Sequence, residues 1–235
     1  TGGLRYTIER KSGSYATVVF GGGTPANSTQ TSAKLSILRP QSYVAGVDDH
    51  DLSGRLTASY NLTESVMAYV SYARTGKSGG INMSGLPLNA LSLPALNTAA
   101  IKPERNTTYE VGVKTQWLDK RLTVKLDYFN TTIRDFQTKL VDSAPGALRG
   151  YIANIDLVRD QGVELDSSYQ INANLTAHVS GAWTDGQYAS YKDGPCPLER
   201  IGASTTVCDL SGDHCQACPS GLGRRAVNIA KTPSW

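Results

Sequence analysis

Between Leu52 and Leu62, every second residue is apolar or glycine: Leu52, Gly54, Leu56, Ala58, Tyr60 and Leu62. The residues between them, Ser53, Arg55, Thr57, Ser59 and Asn61, are all polar. A period of two places these sets on opposite faces of an extended strand. The pattern returns after Thr63-Glu64 with Val66, Ala68, Val70 and Tyr72. Tyr109, Val111, Val113 and Trp117 then alternate with Thr108, Glu110, Lys114 and Gln116. Leu122, Val124, Leu126 and Tyr128 alternate with Thr123, Lys125 and Asp127. Val163, Leu165, Tyr169 and Ile171 alternate with Glu164, Asp166, Ser168 and Gln170; Leu175, Ala177, Val179 and Trp183 with Thr176, His178, Ser180 and Thr184. Each is a strand with one apolar and one polar face.

Composition agrees with strands. The 235 residues contain 23 Gly, 22 Ser, 22 Thr and 12 Tyr, against 3 Phe and 2 Met. Charged residues make up 18%, below the roughly 25% of an average soluble domain. A helical bundle is excluded. A net charge of +3 is too small for a nucleic-acid stripe or a polybasic membrane arm. No signal peptide is visible at Thr1-Gly2-Gly3-Leu4, which has neither a basic nor an apolar region. The uncharged stretch Ser78 to Ile101 carries Pro87, Pro94, Gly79, Gly80, Gly85, Asn82, Asn89 and Asn97, and the run Ser12 to Ala33 contains Gly21-Gly22-Gly23-Thr24-Pro25. Both read as loops, not lipid helices.

Connector lengths alternate. Leu62–Glu64, Leu118–Lys120 and Asn172–Asn174 are links of about three residues. The links near 11–50, 75–103, 140–157 and 189–224 are long and rich in Gly, Pro, Ser and Asn. Tight turns at one end and long loops at the other describe a transmembrane barrel. A soluble sandwich mixes both lengths at both ends. The apolar face ends in Tyr60, Tyr109, Trp117, Tyr169 and Trp183, as aromatic girdles would. The polar face carries Arg55, Glu110, Lys114, Lys125, Asp127, Glu164 and Asp166, which suits a hydrated lumen. An antiparallel sheet with one solvated side gives the same alternation; the loop asymmetry favours the barrel.

Longer matches point to a family. Val66-Met67-Ala68-Tyr69-Val70-Ser71-Tyr72-Ala73-Arg74, followed by Thr75-Gly76-Lys77-Ser78-Gly79-Gly80-Ile81-Asn82, resembles the mid-barrel signature of TonB-dependent outer-membrane receptors. So do Ile101-Lys102-Pro103-Glu104 leading into Thr108-Tyr109-Glu110-Val111-Gly112-Val113-Lys114, Tyr128-Phe129-Asn130 with Ile133-Arg134-Asp135-Phe136-Gln137, and Gln161-Gly162-Val163-Glu164-Leu165-Asp166. Gly3-Leu4-Arg5-Tyr6 resembles an earlier strand. The resemblance implies an all-β, antiparallel transmembrane barrel of about 22 strands with a plug inside it. This sequence supplies about eight strand segments, with no plug and no coupling box, and Ala230-Lys231-Thr232-Pro233-Ser234-Trp235 does not alternate. The expectation is a partial barrel domain over residues 1–235, a fragment of the carboxyl-terminal half, with a cysteine-containing extracellular loop at 189–224.

The resemblance further implies a bacterial outer-membrane receptor that takes up a scarce ligand, such as a ferric siderophore, by energy-coupled transport. Its partners would be membrane lipid, the plug, the inner-membrane coupling complex and a small-molecule ligand. No nucleic acid, cofactor or enzymatic activity is implied. Ligand contacts in such receptors come from apical loops and plug. The candidates are Arg74, Lys77, Asn82, Arg134, Gln137, Arg149, Tyr151 and Tyr188. Arg and Lys suit an anionic chelate, Tyr a sugar or catecholate. Two rival readings are a small eight-stranded adhesive or structural barrel and a secreted carbohydrate-binding sandwich.

Other motifs favour bland readings. Gly76-Lys77-Ser78-Gly79-Gly80 matches a hydrolase elbow, but a glycine- and proline-containing loop follows where a helix is needed. A phosphate loop would need glycine where Ser71 stands. Cys196, Cys208, Cys215 and Cys218 lack the second close pair of a zinc ribbon. An oxidising compartment favours two disulfides. Three pairings are possible, Cys196–Cys208 with Cys215–Cys218 being the most local. His50, His178 and His214 do not cluster. Asp48, Asp49, His50 and Asp51 read as a surface loop rather than a metal site. The sequons Asn106-Thr107-Thr108 and Asn130-Thr131-Thr132 reflect threonine-rich strands.

Overall fold

A computed structural model describes residues 1–18, 27–29, 40–89, 91, 93–142, 149–192, 194–195 and 207–208. The elements are β1 (Gly2–Ala16), β2 (Ser42–Thr63), β3 (Val66–Lys77), β4 (Gly80–Ile81), β5 (Ala100–Ile101), β6 (Glu104–Trp117), β7 (Leu122–Asp142), β8 (Arg149–Asn172), β9 (Leu175–Ser190), β10 (Gly194–Pro195) and β11 (Val207–Cys208). Among the described residues, seven long strands form a single antiparallel meander in the order β1-β2-β3-β6-β7-β8-β9. The sheet is unclosed among the described residues. β4 pairs with β5, and β10 with β11. Among the described residues, no helix is long and apolar enough to cross a membrane.

The three tight turns form as the sequence requires. Glu64-Ser65 joins the Thr63–Val66 pair, and the Ser65 amide donates to Thr63 Oγ1 at 3.2 Å. Between β6 and β7, Leu118, Asp119 and Lys120 all adopt positive φ (54°, 54° and 68°), and the Arg121 amide donates to Leu118 O at 3.1 Å. At Asn172-Ala173-Asn174, the Asn174 amide donates to Asn172 Oδ1 at 2.9 Å, a local side-chain turn.

The opposite ends differ from expectation. β1 runs to Ala16 and β2 starts at Ser42, so the link expected at 11–50 is shorter by half a strand on each side. β7 reaches Asp142 and β8 begins at Arg149, well inside the link expected at 140–157. Asp48-Asp49-His50-Asp51 is therefore strand, not surface loop. These extensions lack clean alternation because both their faces meet water or the loop packed on them.

Registry makes the outer face legible row by row. Ala68, Val113, Leu126, Leu165 and Gly181 lie side by side on β3, β6, β7, β8 and β9. The next outer row is Val70, Val111, Tyr128, Val163 and Trp183, and the one after is Tyr72, Tyr109, Asn130, Gln161 and Asp185. Then come Arg74, Thr107, Thr132, Arg159 and Gln187. Apolar rows thus give way to an aromatic and amide row, then to a cationic one, on approaching the long-loop end. On β6, Tyr109 and Trp117 bracket Val111, Val113 and Thr115 over about 26 Å of strand, the height of a barrel's apolar band.

The burial pattern is inverted. Leu4, Leu56, Tyr60, Val111, Trp117 and Trp183 are exposed, Leu56 at 63%, whereas Asp49, Asp51, Ser71, Glu104 and Asp127 are buried, Asp127 at 4%. In water each such apolar side chain would forfeit about 1.5–3 kcal/mol of burial. The sheet's hollow holds the charges, the arrangement expected where the outer surface meets an apolar medium instead of water.

Candidate functional site

The inner face is built by the polar positions of the alternation. On β2 these are Asp49, Asp51, Ser53, Arg55 and Thr57. The β2–β3 ladder ends at Gly54–Arg74, while the β3–β6 ladder continues to Lys77–Glu104. Beyond that point the β3–β6 end leaves the edge of β2 and lies over its inner side. Gly76 sits so close that a Cβ there would fall 2.7 Å from Asp51 Oδ2. Arg105, opposite Gly76, donates through Nη2 to Asp49 Oδ1 and lies 3.3 Å through Nε from Asp51 Oδ1. Both carboxylates are buried, which the guanidinium charge makes tolerable. Arg5, Thr7, Glu9 and Ser78 complete a polar hollow of about 200 Å³.

Nearer the tight turns, Arg55 Nε donates to Ser71 Oγ at 3.0 Å and its Nη2 donates to Glu110 Oε2 at 3.3 Å. The Tyr69 hydroxyl donates to Glu110 Oε1 at 2.6 Å. Lys114 Nζ stands 5.4 Å from the centre of the Tyr69 ring. These groups line a hollow of about 300 Å³. On β7, Lys125 Nζ pairs with Asp127 Oδ2 at 2.9 Å. Two lumen-facing glycines accept rings from the neighbouring strand: Tyr69 lies over Gly112, and Phe129 over Gly162. The inner wall is thus a set of ion pairs and fixed aromatic groups that can re-pair with another polar surface. Among the described residues, no three His, Cys, Asp or Glu side chains converge as a metal site.

The segment between β3 and β6 folds back over the long-loop end of this face. Asn82 holds it: its Nδ2 donates to Thr98 O and Ile152 O, both at 2.8 Å, and its Oδ1 accepts from the Ile152 amide at 2.8 Å. Gln137 Nε2 donates to Ser78 O at 2.9 Å and Lys102 O at 3.0 Å, and its amide donates to Glu104 Oε2 at 3.0 Å. Asn154 Nδ2 donates to Lys102 O and to Asp135 O. Tyr43, Leu86 and Ala99 form a small core under the segment, with Tyr15 and Ala45 against it. The Tyr43 hydroxyl donates to Asn82 O at 2.5 Å, and burial pushes its pKa up. A second cluster joins Ile155, Val158 and Tyr191 to Ile133, Phe136 and Tyr188.

The eight candidate ligand residues therefore separate. Asn82 and Gln137 spend their amides on stapling the loop. Tyr188 packs 5.1 Å from Tyr191, centre to centre, at the same end. Lys77 closes β3, and Tyr151 faces Leu140 in the β7–β8 register. Arg149 opens β8 opposite Asp142. Arg74 stands on the outer face beside Leu52, Leu56 and Tyr72, and Arg134 is the exposed register partner of Arg105. The acidic cluster also divides, because Asp48 and His50 share the outer face with Arg10 and Tyr6. Sequence reasoning missed the Arg105–Asp49–Asp51 triad; an acidic pair at spacing two in a strand was its available signal. Gly76 is still strand and the next element is the strand β4 at Gly80–Ile81, so the strand-to-helix turn of a hydrolase elbow is not formed there. The disulfides expected of Cys196, Cys208, Cys215 and Cys218 lie outside the described residues; of the four, only the backbone of Cys208 is described, in β11.

The geometry has relatives. The family model for "TonB dependent receptor-like, beta-barrel" matches residues 1–207. The Serratia marcescens hemophore receptor HasR, solved with its hemophore HasA and heme, superposes with a TM-score of 0.53 at 19% identity, covering 81% of this chain and 32% of that one. The copper transporter OprC superposes with a TM-score of 0.50 at 20% identity, over 61% of this chain and 22% of that one. The ferric yersiniabactin uptake receptor FyuA from Yersinia pestis is 21% identical over 63% of this chain, with a TM-score of 0.49. This chain thus spans a fifth to a third of their lengths. An unclosed antiparallel wall, apolar outside and ion-paired inside, with this family match, makes the chain a member of the TonB-dependent receptor-like β-barrel family of the bacterial outer membrane.

Proposed function

We propose that the chain is the wall of an outer-membrane receptor that takes up a scarce small ligand, a ferric siderophore being the leading candidate, with transport coupled to the inner membrane through a plug domain. The observation that carries this reading is the inner face itself. Arg55, Glu110, Arg105, Asp49 and Asp51 form paired charges in a hollow that opens inward, a surface suited to hold a polar plug and release it by exchange of partners. The ligand would meet the wall at the long-loop end, where the Asn82 and Gln137 staples fix the segment that overhangs the lumen. Lys77, Arg149, Tyr151 and Tyr188 are the contacts we assign there, supplying cations for an anionic chelate and phenols for catecholate or sugar. Asn82 and Gln137 act as positioning residues. Arg74, facing outward beside Leu52, Leu56 and Tyr72, is withdrawn from the ligand set, and Arg134 is kept in it.

The test is uptake of radiolabelled ferric siderophores by cells that depend on the full-length protein, with cobalamin, copper and maltodextrins as competitors. Saturable uptake of an iron chelate that vanishes on dissipating the proton gradient supports the reading. Uptake independent of the gradient, or none of any class, contradicts it. Lys77→Ala with Tyr188→Ala is expected to weaken ligand binding at least tenfold while the barrel still folds.

A further inference from the structure

We propose that the ligand is an amphiphile, an iron chelate bearing an acyl chain: the chain lies on the uncharged hairpin between β3 and β6, and the anionic head meets Lys77. This inference rests on the receptor reading above and adds the chemical class of the ligand.

No residue from Ser78 to Ile101 is charged, whereas roughly a quarter to a third of a water-facing surface ordinarily is. The segment lies on the inner side of β1 and β2. Lys11 Nζ donates to Ser78 Oγ at 2.7 Å and to Gly79 O at 2.8 Å. The Gln41 side-chain amide donates to Leu86 O at 2.8 Å and accepts from the Leu86 amide at 2.7 Å. On the β8 side, Ser84 Oγ donates to Gly150 O at 2.6 Å. Asn82, Leu86, Ala99 and Ile101 are buried against the wall. The side turned away from the wall, toward the barrel axis and mouth, carries Met83, Leu91, Leu93 and Leu96, each more than half exposed and Leu91 at 78%.

A fixed backbone holds these side chains out. Leu88 and Pro94 form a bridge, and the Ala95 amide donates to Pro87 O at 2.9 Å. At the tip, the Asn89 amide donates to Leu93 O at 2.8 Å, and Asn89 Oδ1 accepts from the Leu91 and Leu93 amides, both at 3.0 Å. These amides have partners within the hairpin, so an apolar group can cover the leucines without stranding them. Clustered exposed leucines rimmed by polar residues mark a contact surface, and an aliphatic chain laid across them removes apolar area from water.

Charge identifies the other end of the occupant. Lys77 stands at the foot of the segment, on the same face of β3 as Tyr69 and Ser71 by alternation. It is exposed and makes no hydrogen bond or ion pair among the described residues. Gln137 draws the two ends of the segment together beside it by binding Ser78 O and Lys102 O. One unpaired cation at the base of a charge-free apolar hairpin complements an anionic head with an aliphatic tail. A wholly polar chelate would leave the leucines in water.

The test is binding of radioiron-labelled hydroxamate, catecholate and citrate chelates, each with and without an octanoyl chain, to the purified full-length protein in amphipol. For the class that binds, the octanoyl form is expected to bind about tenfold tighter than its parent, the effect of roughly two buried methylene groups. The combined variant Leu91→Ser, Leu93→Ser and Leu96→Ser is expected to bind the two forms alike; it carries the same amphipol belt, so partition of the chain into the belt cancels. Lys77→Gln should weaken both forms by a similar factor. Heat-modifiable gel mobility verifies that each variant is folded. Equal binding of the two forms, or a triple variant that keeps the preference because the plug or another loop covers the leucines, overturns this inference and leaves the receptor reading standing. Binding of no chelate of any class overturns both.

Discussion

Tyr69 on β3 lies over Gly112, its register partner on β6, so closely that a Cβ on the glycine would stand 2.7 Å from the ring. That position lets the Tyr69 hydroxyl reach Glu110, which in turn holds Arg55. One missing side chain therefore organises four residues of the inner wall.

Gly112→Ala should push the ring aside and cost about 1–3 kcal/mol of folded stability. Gly162→Ala should cost more, because its Cβ meets the Trp183 carbonyl as well as the Phe129 ring, and backbone moves less readily. Gly181→Ala, with open space around it, serves as the control and should be near neutral. Urea unfolding of the three variants in detergent or vesicles reads the order.

Arg105 neutralises two buried carboxylates, so Arg105→Met should destabilise by about 3–5 kcal/mol. Adding Asp49→Asn and Asp51→Asn to it should recover much of that loss, since no uncompensated charge remains. Failure of the triple variant to recover any stability would show that packing by the guanidinium, not its charge, is what matters.

Asn82→Ala removes three side-chain hydrogen bonds that tie the loop to Thr98 and Ile152. The loss is expected to be local: about 2–3 kcal/mol of loop-closing stability, seen as faster protease cleavage between residues 83 and 98. The intact strands should keep their heat-modifiable mobility.

Alkaline pH should open the same loop. The Tyr43 phenol is raised above its ordinary value of 10.0 by burial, so the closed loop favours the neutral form. That stabilisation is complete below the open-state pKa and is lost as pH climbs through the closed-state value. Protease cleavage of the loop should accelerate above about pH 10, and Tyr43→Phe should remove that acceleration.

The sequence exposed the part of the fold that lies in lipid. From Leu52 to Ala73, Thr108 to Trp117 and Leu122 to Tyr128, one face must be apolar and the other wet, so the alternation is clean. It fades at Val44–Asp51 and Arg134–Leu140, toward the long-loop ends of β2 and β7; the first stretch reads as part of the link at 11–50, and the second carries no alternation before the link at 140–157. Alternation also has no sign: it does not say which face is hidden, and only the tight and long connectors pointed to the inverted arrangement. Asn82 and Gln137 look like solvated loop amides in one dimension. Their role depends on Thr98, Ser78 and Ile152 coming to meet them, which no local pattern encodes. The same holds for Arg105, whose partners are more than fifty residues away.

The inverted sheet is the central claim, and adjacent residues test it. Spin labels placed singly at Val70, Val111 and Val163, and at Ser71, Glu110 and Glu164, in the full-length protein in bilayers report exposure to dissolved oxygen or to a water-soluble nickel chelate. The account predicts oxygen access at the three valines and none of the nickel reagent there, with the reverse at the three polar neighbours. Nickel access at Val111 with protection at Glu110, or water access at all six, would contradict it.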